Sequence, residues 1–287
     1  MTHIDRALAR AAAALMIVAV AACSTSPIAT SSATSSTAPA ETRSALAPAG
    51  TLRVAVYRGS PSSIVSEGND PRGLGYDLGR ALAVKLGVPF EPVVFPNNAA
   101  ALAAVKHADA DVIFTNASPA RAKDMDFSPT FLDVGKSFLV RGDSPAHSID
   151  DMKKPGLRVG VSAGSSTSEE LAPLYPNATL VPIGAIKDGV EAVRTGAVDA
   201  FATNKAILYE MSDALAGSRV LDGSWGTEHF AAGIPKGRDR GRPFVAAFVA
   251  DAQRDGTVAK AVERAGLRGT IATAPPAPAK RDKVGRY

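Results

Sequence analysis

The chain has 287 residues, of which 46% are apolar and 21% are charged, a composition ordinary for a globular protein with room for two hydrophobic cores. Its formal net charge is +4, but residues 1–22 contribute +1 and residues 270–287 contribute +3, so the stretch between them is neutral. This distribution argues against a nucleic-acid-binding protein, because such a surface needs basic residues clustered on the folded domain.

The N-terminus has the pattern of an export signal. Arg6 and Arg10 precede an apolar run over residues 11–22, which is too short to cross a bilayer as a permanent helix. We therefore predict a signal peptide at 1–22. The run ends in VAAC, which resembles a bacterial lipobox and predicts lipidation of Cys23. The alternative is an ordinary secretory signal followed by an incidental cysteine.

Cys23 is the only cysteine, so the fold is expected to have no internal disulfide. More than one acyl chain on it would anchor the protein stably to a membrane, in the periplasm or elsewhere outside the cytoplasm. Residues 23–49 are rich in Ser, Thr, Ala and Pro and predict a flexible linker, since they lack a periodic apolar pattern. Residues 270–287 have a similar bias and predict a disordered tail.

From Thr51 onward, strand and helix patterns alternate. LRVAVY predicts a strand, and Leu78, Leu82 and Leu86 have the spacing of a helix that ends at Gly87. FEPVVFP predicts a second strand, NAAALAAVKHA a second helix and ADVIFTN a third strand. This β-α-β-α-β order predicts an α/β fold with a parallel sheet covered by helices.

The same order then repeats. LRVAV at 52–56 parallels LRVGV at 157–161, and ADVIFTN at 110–116 parallels VDAFATN at 198–204. Two similar α/β lobes in one chain imply a cleft, and ligands of open parallel sheets bind beyond the carboxyl ends of the strands. The segments that this rule places near the cleft are Tyr57-Arg58, Asn116–Ser118, Ala163–Ser166 and Thr203–Lys205.

Several motifs, taken in order from about residue 50 to residue 269, resemble the bacterial extracellular solute-binding proteins of family 3. They are GTLRVAV, GLGYDLGRALAVKLGV, ADADVIFTNASPARAKDMDFSPTF, LRVGVSAGSSTSEEL, GAVDAFATN, HFAAGIPKG and VADAQRDGTVAKAVERAG. The resemblance implies a lipoprotein form of a polar amino-acid-binding protein that serves an ABC transporter. It also implies a type II periplasmic-binding-protein-like fold with two lobes, each a mostly parallel sheet flanked by helices.

By this resemblance the chain crosses between the lobes twice, near Leu132-Asp133 and near Phe230–Ala232. The predicted lobe 1 comprises residues 50–132 and 233–269, and the predicted lobe 2 comprises residues 133–232.

The resemblance also implies roles for individual residues. The family uses the arginine of the block that here reads SPAR to grip the ligand's α-carboxylate, which assigns that role to Arg121. A guanidinium fork matches a carboxylate bidentately, whereas the alternative is a surface arginine in the first turn of a helix. Asn116 and Ser118 occupy positions of polar ligand contacts, but both residue types also serve as helix caps.

In the second repeat, Ser165 and Ser166 follow a glycine and precede a predicted helix. Free backbone N–H groups at a helix start favour an anionic group, so this turn is expected to contact the ligand's carboxylate. The alternative is a capping box formed by Ser166 with Glu169.

Asn204 departs from the family pattern, which has an aspartate there to pair with the ligand's α-ammonium. An amide accepts a hydrogen bond but does not neutralise a cation, and a buried cation without a counter-charge is costly. Either another carboxylate substitutes, with Glu228 as a candidate, or the ligand is not a standard α-amino acid. The loop YRGSPSS also lacks the aromatic residue that usually stacks on the ligand.

These observations predict a monomeric, non-enzymatic binding protein that captures a small carboxylate-bearing solute and delivers it to an ABC permease. No cofactor or metal is expected, because the four histidines show no paired metal-binding spacing. One alternative is an enzyme similar to cyclohexadienyl dehydratases, but no carboxylate follows Asn204 until Glu210. Another is a ligand-sensing or accessory binding module without a transport role.

Overall fold

The computed structural model describes residues 38–66 and 68–271. The predicted signal peptide, Cys23 and most of the predicted linker and tail lie outside these ranges. Within them, none of the helices combines the length and the apolar character that a membrane crossing requires.

The strand and helix order predicted from the sequence is confirmed. The helices are α1 Ala40–Leu46, α2 Leu74–Leu86, α3 Asn98–Lys106, α4 Ser166–Leu171, α5 Ile186–Thr195, α6 Lys205–Asp213, α7 Arg242–Arg254 and α8 Thr257–Ala265. The strands are β1 Leu52–Tyr57, β2 Phe90–Phe95, β3 Val112–Asn116, β4 Met125–Phe127, β5 Leu132–Val140, β6 Arg158–Ser162, β7 Thr179–Ile183, β8 Ala200–Asn204, β9 Arg219–Val220, β10 Gly226–Pro235 and β11 Thr270–Ile271. The helix α2 ends where Gly87 adopts a left-handed conformation with φ 77°, as its position in the sequence predicts.

Hydrogen bonding joins the main strands into one sheet of order β2-β1-β3-β10-β5-β8-β6-β7. At one end β1 runs parallel to β2 and β3, and at the other end β6 runs parallel to β7 and β8. In the middle, β10 pairs antiparallel with β3 and β5, and β5 pairs antiparallel with β8. The two parallel groups are thus connected through β5 and β10, the strands in which the sequence places the crossovers.

The internal repeat is visible in matching ion pairs. Arg53 donates from its backbone N and from Nε and Nη2 to the carboxylate of Asp111, at 2.8–3.0 Å. Arg158 donates from the same three atoms to Asp199, at 2.8–3.2 Å. In each repeat the pair ties the start of the first strand to the start of the third. Both strands therefore end at the same edge of the sheet.

The hydrophobic core lies on both faces of this sheet. Around the first parallel group, Phe114 packs edge-on against Phe131 and Phe248, with ring centroids 6.0 and 6.5 Å apart. Around the second group, the rings of Phe138 and Tyr175 lie 5.1 Å apart. These aromatic contacts fix the position of the strands that carry the site.

The structure corrects the predicted linker at 23–49. Residues 40–46 form α1, and Leu46 is fully buried in the core of the first parallel group. Arg238 donates from Nη1 to the Leu46 carbonyl at 3.1 Å. The prediction was wrong because it used the composition of the whole segment, whereas a short run within it contains the helix-forming residues Ala, Glu, Arg and Leu. The predicted tail is likewise shorter at its start, since Thr270 and Ile271 pair with β5.

Candidate functional site

A cavity lies at the carboxyl ends of β1, β3, β6 and β8. Residues of both repeats and of the connecting strand β10 line it, among them Tyr57, Arg58, Asn98, Thr115, Arg121, Ser162, Ala163, Ser165, Thr203, Asn204, Ile207, Glu228 and Phe230. A neighbouring pocket shares Arg121 and Ser165 and adds Ser118, Ser166 and Glu169. The four segments that the sequence places near a cleft all contribute to these walls.

Arg121 follows β3 in a short 3-10 turn and lines both spaces. Its Nη1 donates to Thr115 Oγ1 at 2.9 Å and to the Asn116 carbonyl at 3.0 Å. Among the described residues these are its only side-chain hydrogen bonds, and no carboxylate lies within ion-pair distance of it. The pKa of Arg121 is lowered, chiefly because burial removes water from the guanidinium. The protein therefore holds a partly buried cation whose Nε and Nη2 are available to an anion.

Asn116 and Ser118 both have structural roles. Asn116 Oδ1 accepts from the backbone N of His229 at 2.9 Å, and its Nδ2 donates to Ser166 Oγ at 3.2 Å. The second bond spans the cleft from the first repeat to the second. Ser118 Oγ accepts from the backbone N of Arg121 at 3.4 Å, which is capping of the short turn.

The serines before α4 behave differently from the capping alternative. Ser165 is the N-cap residue, but its side chain makes no capping bond. Ser166 is the first residue of the helix and its Oγ accepts from Asn116, so the alternative of a capping box between Ser166 and Glu169 does not form. The Ser165 Oγ is buried at the cavity wall and has no hydrogen-bond partner among the described residues. A buried hydroxyl in that state is a site where a polar ligand atom is expected.

Asn204 uses both of its polar atoms within the protein. Its Oδ1 accepts from the backbone N of Ile207 at 3.1 Å and caps α6, and its Nδ2 donates to Glu228 Oε2 at 2.9 Å. Glu228 is only 8% exposed, and its carboxylate lies at the cavity wall. Burial raises the pKa of Glu228, while Lys136, Arg121 and the Asn204 hydrogen bond act in the opposite direction.

Lys136 is the other buried cation near the cavity. It lies on β5 without solvent exposure, and its Nζ contacts Glu170 Oε2 at 2.5 Å. The ammonium also lies 5.3 Å from the centre of the Trp225 ring, a cation–π distance. Sequence patterns did not indicate this residue, because its partners are 34 and 89 positions away. Its charge is balanced inside the protein.

Two aromatic side chains line the cavity, and neither comes from the loop after β1. Tyr57 is the last residue of β1, and Phe230 lies on β10. The aromatic wall thus comes from strand residues and not from the loop itself. The Tyr57 hydroxyl lies 3.4 Å from both Ser60 Oγ and Ser62 Oγ. Burial raises the pKa of Tyr57, so the phenol stays neutral.

Residues 52–267 match the family profile of bacterial extracellular solute-binding proteins, family 3. The glutamine-binding protein of Geobacillus stearothermophilus is 30% identical over 116 residues, which is 40% of this chain and 44% of that protein. The chain thus spans less than half the length of this curated relative.

Solved structures match over more of the fold. An ancestral arginine-binding protein bound to arginine is 25% identical with a TM-score of 0.65, over 75% of this chain and 97% of that one. An ancestral amino acid-binding protein, described as a precursor of cyclohexadienyl dehydratase, is 25% identical with a TM-score of 0.65, over 75% of this chain and 95% of that one. The fold is the mixed α/β fold of the type II periplasmic binding proteins.

Proposed function

This chain belongs to family 3 of the bacterial extracellular solute-binding proteins, and from that premise we propose that it is the amino-acid-binding component of an ABC importer. It captures a small carboxylate-bearing solute in the cavity and delivers it to a membrane permease. Relatives named for glutamine and arginine binding support an amino acid as the solute. The proposal takes the protein to act as a monomer.

The observation that carries the proposal is the state of Arg121. Its guanidinium lines the cavity, is held by Thr115 and Asn116, and has no carboxylate partner among the described residues. A buried cation without a counter-charge is unfavourable, and a ligand carboxylate removes that penalty with bidentate geometry. The Ser165 hydroxyl lines the same cavity, has no partner among the described residues and supplies a further polar contact.

Closure of two lobes completes the proposed binding cycle. Residues 50–132 with 233–269 form one lobe and residues 133–232 the other, with β5 and β10 as the hinge between them. The Asn116–Ser166 hydrogen bond joins the two sides and supports a closed arrangement. Exclusion of water by closure strengthens the Arg121–carboxylate attraction, because the local dielectric falls.

The proposed location is outside the cytoplasm, with Cys23 lipidated and part of the predicted linker at 23–49 acting as a tether. An anchored binding protein stays close to the permease that receives its ligand. Lipidation is tested by mass spectrometry of the protein from membranes, where a Cys23→Ala variant is expected in the soluble fraction.

A thermal-shift screen tests the proposed function. The purified protein is heated with each standard L-amino acid and with simple organic acids such as succinate and acetate. A ligand at about 100 times its Kd stabilises the fold by about 2.7 kcal/mol, which raises Tm measurably. We expect one or a few amino acids to raise Tm. We also expect the ligand to be recovered chemically unchanged. A flat response to every carboxylate would contradict the proposal, and conversion of the ligand would support the enzymatic alternative.

A further inference from the structure

We propose that Glu228 receives the ligand's α-ammonium group, in place of the aspartate that position 204 lacks, so that the site selects zwitterionic α-amino acids over simple carboxylic acids. This inference rests on the proposed function, in which Arg121 binds the α-carboxylate. It makes Glu228 a specificity-determining residue, and it makes Asn204 the residue that positions it.

The position of Glu228 fits this role. It lies on β10 opposite Val134 of β5, where the two repeats meet, and its carboxylate lines the same cavity as Arg121. Its one hydrogen bond to the described residues runs from Asn204 Nδ2 to Oε2 at 2.9 Å. Oε1 and the remaining lone pair of Oε2 are therefore available to an ammonium donor.

Asn204 is the poorer partner for an ammonium group, because its amide carries no charge and its acceptor atom is already engaged. Its only acceptor atom, Oδ1, caps α6 by accepting from the Ile207 backbone N at 3.1 Å. Its Nδ2 is a donor and holds Glu228. An approaching ammonium would meet the donor side of the amide, which repels it, and the Glu228 carboxylate, which attracts it. Glu228 thus supplies the negative charge that the family has at position 204, and Asn204 holds the Glu228 carboxylate in place.

The balance of charges around the cavity leads to the same ligand class. Lys136 and Glu170 neutralise each other at 2.5 Å, and Arg121 and Glu228, which carry opposite charges, line one cavity together with Arg58. Within the described residues they are not within 4 Å of each other as an ion pair, although each influences the pKa of the other. A simple carboxylate would pair with Arg121 alone and leave the buried Glu228 with the Asn204 hydrogen bond but no cationic ligand group. A zwitterionic head group satisfies both.

The test compares each amino acid with its analogue that carries hydrogen in place of the α-amino group. The probes include L-glutamine with 5-amino-5-oxopentanoate and L-arginine with 5-guanidinopentanoate, and the other standard L-amino acids are paired in the same way. We expect the wild type to prefer the best-bound amino acid over its analogue by at least about 30-fold, since loss of a buried charge partner weakens binding to that extent. The Glu228→Gln variant should lose most of this preference while retaining affinity for the analogue.

Two further variants separate charge from structure. Asn204→Asp combined with Glu228→Gln returns a carboxylate to the cavity and keeps a good cap on α6, so it should restore the preference. Glu263→Gln, on the exposed surface of α8, is the matched control and should leave the preference unchanged.

Three outcomes would overturn the inference: equal binding of amino acid and analogue by the wild type, full preference in Glu228→Gln, or no restoration in the double variant. The first needs no variant, so misfolding of Glu228→Gln does not prevent a decision. In each of these three cases the proposed function would still hold if carboxylate binding depends on Arg121. Absence of binding by every probe would instead overturn the proposed function and this inference with it.

Discussion

Some polar atoms of the cavity residues have hydrogen-bond partners within the protein, and others have none among the described residues. Asn116 and Asn204 occupy matching positions in the two repeats, and each uses both amide atoms on protein partners. Ser165 Oγ and Asn98 Oδ1 are buried at the cavity wall without a partner among the described residues. Because buried polar atoms are nearly always hydrogen-bonded, these two mark where ligand atoms are expected.

The pH dependence of binding is a residue-scale prediction about Glu228. Burial raises its pKa, and the ammonium binds the ionised form, so affinity should fall as pH falls through that raised value. The loss should approach about tenfold per pH unit and begin above the pH at which an ordinary glutamate is protonated. The charged and polar groups that face Glu228 are Tyr57, Arg121, Lys136, Glu170 and Asn204.

Calorimetric titrations between pH 8 and pH 4 with the best-bound amino acid measure this dependence. In Glu228→Gln the corresponding step should be missing. Parallel pH profiles for the wild type and the variant would show that another group controls the affinity.

Only some of these cavity residues were predicted from the sequence. Arg121 was predicted as the carboxylate-binding residue because the resemblance to the family rests there on a contiguous block of sequence. Glu228 was only a candidate, since it is 24 positions from Asn204 and no local pattern connects them. Asn98 was missed because an asparagine in the first turn of a helix is ordinary. The alternative of a capping box at Ser166 was wrong because the N-cap of α4 is Ser165.

The helix α1 is the secondary-structure element that the composition of its segment did not predict. Leu46 is fully buried, and a side chain on Gly241 would collide with it. We therefore predict that Leu46→Ala lowers the free energy of unfolding by about 2–5 kcal/mol, through lost burial and a residual cavity. Urea denaturation measures this value. Leu174→Ala is the control, because Leu174 is 49% exposed and its truncation should change stability by no more than about 0.5 kcal/mol. Equal effects of the two substitutions would show that α1 is not part of the core.

Most other elements followed from hydrophobic spacing and from glycine at helix ends. The pairing of β5 with β10 could not be predicted from hydrophobic spacing or from glycine positions. It joins residues about a hundred positions apart, such as Leu132 and Phe230, and such a contact leaves no periodic pattern. Only the resemblance to a family located the crossovers.

The described part of the chain contains two repeats, and residues of both line a charged cavity. The repeat was predictable because both copies keep the arginine–aspartate pair that aligns their strands. The cavity's charge arrangement was not, because Lys136, Glu170 and Glu228 come together only through the folded sheet. The two repeats and the connecting strands together place the Arg121 cation and the Glu228 carboxylate at a shared cavity, which Arg58 also lines. We propose that Arg121 and Glu228 recognise the two ends of an amino-acid head group.

The central claim is that Arg121 binds the ligand's carboxylate, and isothermal titration calorimetry tests it most directly. Wild type, Arg121→Ala and Arg121→Lys are titrated with the amino acid that gives the largest rise in Tm, with Arg72→Ala as a surface control. We predict a loss of affinity of at least about 30-fold in Arg121→Ala, a smaller loss in Arg121→Lys and none in Arg72→Ala. Wild-type affinity in a folded Arg121→Ala variant would contradict the account.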